Sequence, residues 1–324
     1  MTTVLITGIA GFVGSHLVEF LLRDSTIEVA GILHPEHEIQ HLEEHPRVAV
    51  YREDILKEGK LKKLLRSIAP ERVYHLAGMA HVHESWTDRK RTIETNFLGS
   101  LNLLEACRAL PEFPRVLLVG SADCYGIVPE AQQPILETHP LFPSSPYAVS
   151  KIAQEILGMQ YAKAEKFPVY LSRSFNHTGP WQKETFVCSS FAKQVAMAET
   201  APETPVIRVG NLVARRDFSD VRDVVRAYHA ILEKGVPGEP YNVCSGRAIS
   251  IREVLDILLS RSSRRFQVEV DPEKFRPVDM PLLFGSAEKL SAETGWRPEY
   301  EIHKTLGDLL DFWRSELKTG AAVS

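Results

Sequence analysis

Tyr147 and Lys151 stand four residues apart in the run SSPYAVSKIAQEIL (Ser144–Leu157), among mostly small and apolar neighbours. On a helix, positions i and i+4 are surface neighbours, so a phenol and an ammonium there share one small space. Pro146 suits the first turn of such a helix, because the N–H it lacks would have no partner there. A phenol ordinarily keeps its proton until about pH 10, and a nearby cation favours the phenolate. The pair is therefore suited to proton transfer near neutrality. A Tyr–Lys pair on an exposed amphipathic face has the same spacing, so the rest of the chain must decide between the two.

A second chemical signal lies at the start. TGIAGFVGSHL places Gly8, Gly11 and Gly14 between an apolar run and the first helical pattern. Glycines allow a tight turn and close backbone approach to a pyrophosphate, and a helix N-terminus offers free N–H groups and the positive end of a dipole. That order favours a dinucleotide cradle over a plain turn. An acid about 20 residues further on would hold the adenosine ribose 2′-hydroxyl. Leu33 and His34 stand there instead, with Glu36 only afterwards. NADP, or use of both cofactors, fits more easily than strict NAD; His34 otherwise reads as an exposed loop histidine.

The elements that must hold these residues follow from hydrophobic spacing. Compact apolar runs at 3–8, 29–33, 47–51, 72–77, 115–121 and 167–175 predict strands buried on both faces. Helical spacing at 14–23, 60–68, 95–110 and from Tyr147 onwards alternates with them. Such alternation predicts a doubly wound α/β fold with a parallel sheet. Past residue 176 the rhythm breaks, apart from SIREVLDILL with Ser250 and Glu253 as a capping box. We expect a nucleotide-binding domain over 1–175 and a smaller α/β lobe over 176–324 for the substrate, from which the chain can cross back to the sheet.

Composition narrows the class. With 324 residues, a net charge of −4 and 25% charged residues, the chain has no basic excess for nucleic acid or an anionic membrane. Cysteines at 107, 124, 188 and 244 show neither C-x-x-C spacing nor clustering with histidines. That argues against a metal site or disulfide framework and fits a reducing compartment. MTTVLITGIAGFVG lacks the basic start of a signal peptide, and no apolar run reaches membrane-span length. The expectation is a cytoplasmic protein.

The glycine spacing here is G-x-x-G-x-x-G, not G-x-G-x-x-G. With Y-x-x-x-K, Asp54–Ile55, HLAG (His75–Gly78) and SADCYG (Ser121–Gly126), the chain resembles the extended, nucleotide-sugar-modifying branch of the short-chain dehydrogenase/reductase superfamily. RSFNHTGPWQ (173–182), FAKQ (191–194) and the run 209–228 are similar to GDP-mannose 4,6-dehydratases and GDP-6-deoxy-4-keto-mannose reductases. The resemblance implies a Rossmann-type domain holding NADP or NAD through Gly8, Gly11, Phe12, Val13, Gly14, His34, Asp54, Ile55, Leu76, Ala77, Gly78 and Asn96. Tyr147 and Lys151 would touch the cofactor too. It implies that Tyr147 exchanges a proton with a substrate oxygen, that Ser121 orients that oxygen and that Lys151 bonds the nicotinamide ribose. Asp123 stands where dehydratases carry a catalytic glutamate; it can serve chemistry, orient the ketone or bind a sugar hydroxyl, or simply cap loop N–H groups.

Asn176, Lys193, Arg216 and Arg276 are implied around a GDP diphosphate, where guanidinium forks match phosphate oxygens, and Val187 is implied at the substrate. Trp181 replaces a usually small residue and is expected to reshape the sugar pocket. Ser-Ala-Asp and the run from His75 are most similar to reductases that form GDP-D-rhamnose from GDP-4-keto-6-deoxy-D-mannose with NAD(P)H. A GDP-sugar 4-epimerase or 4,6-dehydratase, and a non-catalytic NAD(P)-binding regulator, are the alternatives. A homodimer contacting through helices 95–110 and 147–163 is implied, with neither nucleic acid nor membrane as partner.

Overall fold

The computed structural model describes residues 1–39, 41–42, 44–200, 205–275 and 280–319. The apolar runs of the first half form β1 (Thr2–Thr7), β2 (Ile27–Leu33), β3 (Val48–Arg52), β4 (Arg72–His75), β5 (Arg115–Ser121) and β6 (Val169–Ser174). Successive strand side chains face opposite ways, so Val4 and Ile6 of β1 enter one core while Leu5 enters another. Each core needs its own helices. α1 (Phe12–Leu21) lays Leu17 and Val18 on the first, and α2 (Glu58–Ile68) lays Leu61 and Leu65 on the second.

These strands pair in parallel in the order β3-β2-β1-β4-β5-β6. The winding direction reverses between β1 and β4, and ligands of such sheets bind in the crevice at that point. The loops carrying Gly8 and Leu76–Gly78 both leave the sheet there. β3 departs from the expectation of two buried faces: it is the sheet edge, with Ala49 and Tyr51 exposed.

The spacing predicts a single helix over 95–110. The structure has α3 (Val82–Thr87), α4 (Arg89–Ile93), a π turn (Glu94–Leu98) and α5 (Gly99–Arg108). π turns inside helices recur at functional sites, and this one carries the fully buried Asn96. α6 (Pro146–Glu165) starts as its sequence predicts: Pro146 opens it, and the Ser145 hydroxyl accepts from the Ala148 N–H at 3.1 Å.

Past β6 come β7 (Asn176–Thr178), α7 (Val187–Glu199), β8 (Val206–Val209) and β9 (Arg215–Asp220). The chain then returns to the sheet. α8 (Val221–Lys234) buries Val224, Tyr228 and Ile231 in the core of β1, a helical i, i+4, i+7 stripe. β10 (Pro240–Val243) pairs with β6 as the seventh parallel strand. β11 (Ala248–Ser250) then runs antiparallel to β9. α9 (Ile251–Ser260) carries the expected capping box, with Ser250 Oγ accepting from Glu253 N at 3.0 Å and Glu253 Oε2 from Ser250 N at 2.7 Å. α10 (Glu288–Thr294) adds Leu290 to the sheet core, while α7, β9, α9 and α11 (Ile302–Thr319) close a separate core around Phe191, Phe218, Leu255 and Trp313.

Among the described residues no helix is long and apolar enough to cross a membrane, and no group of His, Cys, Asp and Glu side chains could hold a metal ion. The four cysteines are buried and unbridged.

Candidate active site

The glycine loop is dictated by crowding as well as by turn geometry. Gly8 has φ +73°, and a Cβ on it would sit 2.9 Å from Ala77 N on the facing loop. A Cβ on Gly14 would strike the carbonyl oxygens of Gly8 and Ile9. Gly11 is the N-cap of α1, so Phe12, Val13 and Gly14 form its first turn, which carries no acid. First-turn amides have no partner within their helix, and this end of α1 fits an anion such as a dinucleotide pyrophosphate.

The facing loop is braced from below. Ser100 Oγ donates to the Asn96 carbonyl at 2.6 Å, so toward His75 Nε2, 2.9 Å away, it acts as acceptor. Burial pushes the His75 imidazolium down to about 3, leaving the ring neutral. Its Nδ1 then accepts from Thr7 Oγ1 at 2.7 Å, and Thr7 Oγ1 accepts from Ala77 N at 3.1 Å. The Asn96 side chain takes Met79 N on its oxygen at 2.7 Å and reaches Ser150 Oγ on α6 at 2.9 Å. Leu76, Ala77, Gly78 and Asn96 are thus one rigid wall beside the glycine loop.

At the end of β2, His34 Nδ1 accepts from Glu36 N at 3.3 Å, and its ring lies 5.2 Å from that of His37. Arg52 holds this turn by the carbonyls of Pro35 (3.2 Å) and His37 (2.8 Å). Asp54 closes its own turn, Oδ1 accepting from Leu56 N at 2.9 Å, and Ile55 is buried against Gly99.

Ser121, Asp123, Tyr147 and Lys151 come together where β5 ends against α6. Ser121 Oγ accepts from Asp123 N at 3.2 Å and so caps the short turn that follows β5. The Tyr147 phenol lies beside the Ser121 hydroxyl. Burial raises that phenol well above its ordinary value, the charge of Asp123 pushes the same way, and the Ser121 hydroxyl opposes both. Lys151 is pushed down to about 8 by burial. Its Nζ donates to the Val119 carbonyl at 2.8 Å and Gln154 Oε1 at 3.1 Å, and lies 3.7 Å from where a Gly78 Cβ would be. The expectation that Lys151 lowers the phenol therefore changes. In the protein alone the ammonium is turned to Val119 and Gln154, and burial governs Tyr147.

Asn176, Val187, Lys193 and Arg216, of the residues implied at the substrate, all stand on elements past β6. Asn176 is exposed on β7, which pairs with β9 (Asn176 opposite Phe218), the strand carrying Arg216. Arg216 is buried, and its Nη1 donates to the Arg215 carbonyl at 2.9 Å. Val187 opens α7; Lys193 on the same helix is paired with Glu184 and lies 5.0 Å over the Trp313 ring. Arg276 lies outside the described residues. Trp181 stacks on His16 of α1 at 4.3 Å and on His41 at 5.6 Å, with φ +70°. That places it beside the helix of the glycine loop. Gln154 and Ser150 were missed by sequence reasoning; Gln154, one turn past Lys151, was legible from helical spacing.

The family model described as GDP-mannose 4,6 dehydratase matches residues 5–309. GDP-6-deoxy-D-mannose reductase of Pseudomonas aeruginosa is 37% identical over 313 residues, 97% of each chain. The solved structure of RMD from Pseudomonas aeruginosa complexed with NADPH superposes with a TM-score of 0.85 at 35% identity, covering 98% of this chain and 100% of that one. UDP-glucose 4-epimerase of Thermus thermophilus in complex with NAD gives 0.85 at 31%, covering 97% and 99%. With the glycine cradle at the switch point and the Ser121–Tyr147–Lys151 group beside it, the chain belongs to the GDP-mannose 4,6-dehydratase family of extended short-chain dehydrogenase/reductases.

Proposed function

We propose that the chain is an NAD(P)H-dependent reductase of the C4 ketone of a GDP-4-keto-6-deoxy-hexose, converting GDP-4-keto-6-deoxy-D-mannose to GDP-D-rhamnose. The carrying observation is a buried Tyr147 phenol beside Ser121, with Lys151 one turn along the same helix, in a chain 37% identical to a GDP-6-deoxy-D-mannose reductase. A reductase must begin each turnover with a proton to give, and a phenol carries that proton at neutral pH.

The dinucleotide would be held by the Gly8–Gly14 loop and the Leu76–Gly78 wall, and when bound it supplies the hydride. Ser121 orients the ketone oxygen, and Tyr147 hands its phenolic proton to that oxygen. Lys151, mostly charged below about pH 8, offsets the negative charge left on the tyrosine. Asn176, Lys193, Arg216 and Arg276 surround the diphosphate in this reading, with Val187 elsewhere on the substrate and Lys193 exchanging Glu184 for phosphate. No acid stands at the end of β2, and His34 is there instead, which supports NADP at least as well as NAD.

One observation favours a second reading: the charge of Asp123 bears on Tyr147, and dehydratases of this family place an acid there. A dehydratase or epimerase would recycle its cofactor within each turnover. Incubation with GDP-4-keto-6-deoxy-D-mannose and NADPH or NADH separates the two, since the reductase oxidises one cofactor per product. Turnover without net oxidation sinks the reductase reading.

We also read a homodimer. Val149 and Ile156, seven residues apart on one face of α6, are 46% and 57% exposed, and Leu98 is 40% exposed. The unbridged cysteines suit a cytoplasmic setting.

A further inference from the structure

We propose that Arg173 positions the proton-transfer group, by holding the helix of Tyr147 and Lys151 and the turn after Ser121 on one buried guanidinium. This rests on the assignment of Tyr147 and Ser121 above. Arg173 is 4% exposed and Glu155 is 3% exposed. The two meet fork to fork, Nη2 to Oε1 at 2.6 Å and Nε to Oε2 at 2.8 Å. Glu155 lies four residues past Lys151 and eight past Tyr147, on the same stripe of α6.

The other side of the guanidinium reaches the Ser121 arm. Nη1 donates to the Tyr125 hydroxyl and to the Glu137 carbonyl, each at 2.9 Å, and the cation lies 5.0 Å over the Tyr125 ring. Tyr125 ends the short 3₁₀ turn Ala122–Tyr125 that follows Ser121. Its hydroxyl donates onward to Asn242 Oδ1 on β10 at 2.7 Å, and Asn242 Nδ2 donates to the Ile135 carbonyl at 2.9 Å. The helix that carries Tyr147 and the turn that follows Ser121 are therefore both tied to the same cation.

Stability is a poor explanation for such a device. A buried ion pair replaced by apolar residues of similar volume is often neutral or more stable. A bidentate fork instead fixes distance and plane, and that is what two separate elements need if a serine and a tyrosine are to meet one substrate oxygen. Misplacing reacting groups by about 1 Å can cut rates roughly a hundred-fold.

The test uses Tyr125→Phe and the apolar pair Arg173→Met with Glu155→Leu, in the full-length chain. Melting temperature, kcat, both KM values and the ¹³Cζ resonance of Tyr147 (assigned with Tyr147→Phe) are measured. Positioning predicts melting within a few degrees of wild type, kcat down about tenfold or more, KM values within about threefold, and a shifted Tyr147 resonance. Full kcat with an unmoved resonance in Tyr125→Phe overturns the proposal, whether or not the pair variant folds. A wild-type chain that leaves NAD(P)H unoxidised with the ketosugar overturns the functional reading alone; the Tyr147 resonance still decides the positioning role.

Discussion

Lys151 is 7% exposed, and its ammonium is held at about 8 instead of 10.5 because burial disfavours the charge. At about 1.4 kcal/mol per tenfold, that difference withholds about 3 kcal/mol of folding free energy at neutral pH. Lys151→Met keeps most of the apolar stem and removes the charge. The Val119 carbonyl retains the Gln154 amide at 3.2 Å, so only Gln154 Oε1 loses the partner that Lys151 gave it. An acceptor left bare costs about 1–3 kcal/mol, so the variant should be as stable as wild type at pH 7, or up to about 2 kcal/mol more stable. The sign with pH is fixed. Between pH 8 and 10.5 the unfolded lysine holds a proton that the folded one has lost, so wild-type stability rises with pH relative to the variant. Urea unfolding at pH 7 and pH 10 should show wild type gaining about 2–3 kcal/mol on Lys151→Met. The variant should meanwhile lose about a hundred-fold or more in kcat, and the fall of wild-type kcat/KM above about pH 8 should vanish with it. Parallel stability curves for the two proteins would refute the account of a strained, buried ammonium.

Tyr147→Phe should keep its fold and NAD(P)H binding, read by fluorescence titration, yet lose about a hundred-fold or more of its turnover. Near-normal turnover would return the Tyr–Lys pair to a structural role. Arg216→Ala should weaken GDP binding about tenfold or more in calorimetry while leaving cofactor affinity unchanged; equal GDP affinity rejects Arg216 as a diphosphate ligand. Sedimentation at micromolar concentration should find a dimer, and Ile156→Lys on the exposed face of α6 should shift it toward monomer.

Much of the fold was legible because it rests on short-range rules. Glycines between strand and helix, Pro146 after Ser145, and the Ser250–Glu253 box all act within a few residues, and each stands where the sequence placed it. The return of β10 to the sheet was not legible as a pairing, because Pro240–Val243 is four residues long and its partner β6 lies far back in the chain. β3 resembled an interior strand in composition, yet strand order left it at the edge. In the site, residue type revealed Tyr147 and Lys151, but the Val119 carbonyl that holds Lys151 is backbone and carries no residue signature. Trp181 was noticed for its size, whereas its stacking on His16 depends on a contact between two elements distant in sequence. Arg173 stood inside the R-x-F-N-H motif as one charge among several; only its burial against Glu155 sets it apart.

The central claim is that this chain delivers a hydride to C4 of a GDP-ketosugar while Tyr147 supplies the proton. NADPH or NADH carrying deuterium at the transferable position, turned over with GDP-4-keto-6-deoxy-D-mannose, tests it most directly by product NMR. The account predicts deuterium at C4 of the GDP-6-deoxy sugar, one cofactor oxidised per product, and loss of both in Tyr147→Phe. Product without deuterium at C4, or formed with no net cofactor oxidation, would contradict it.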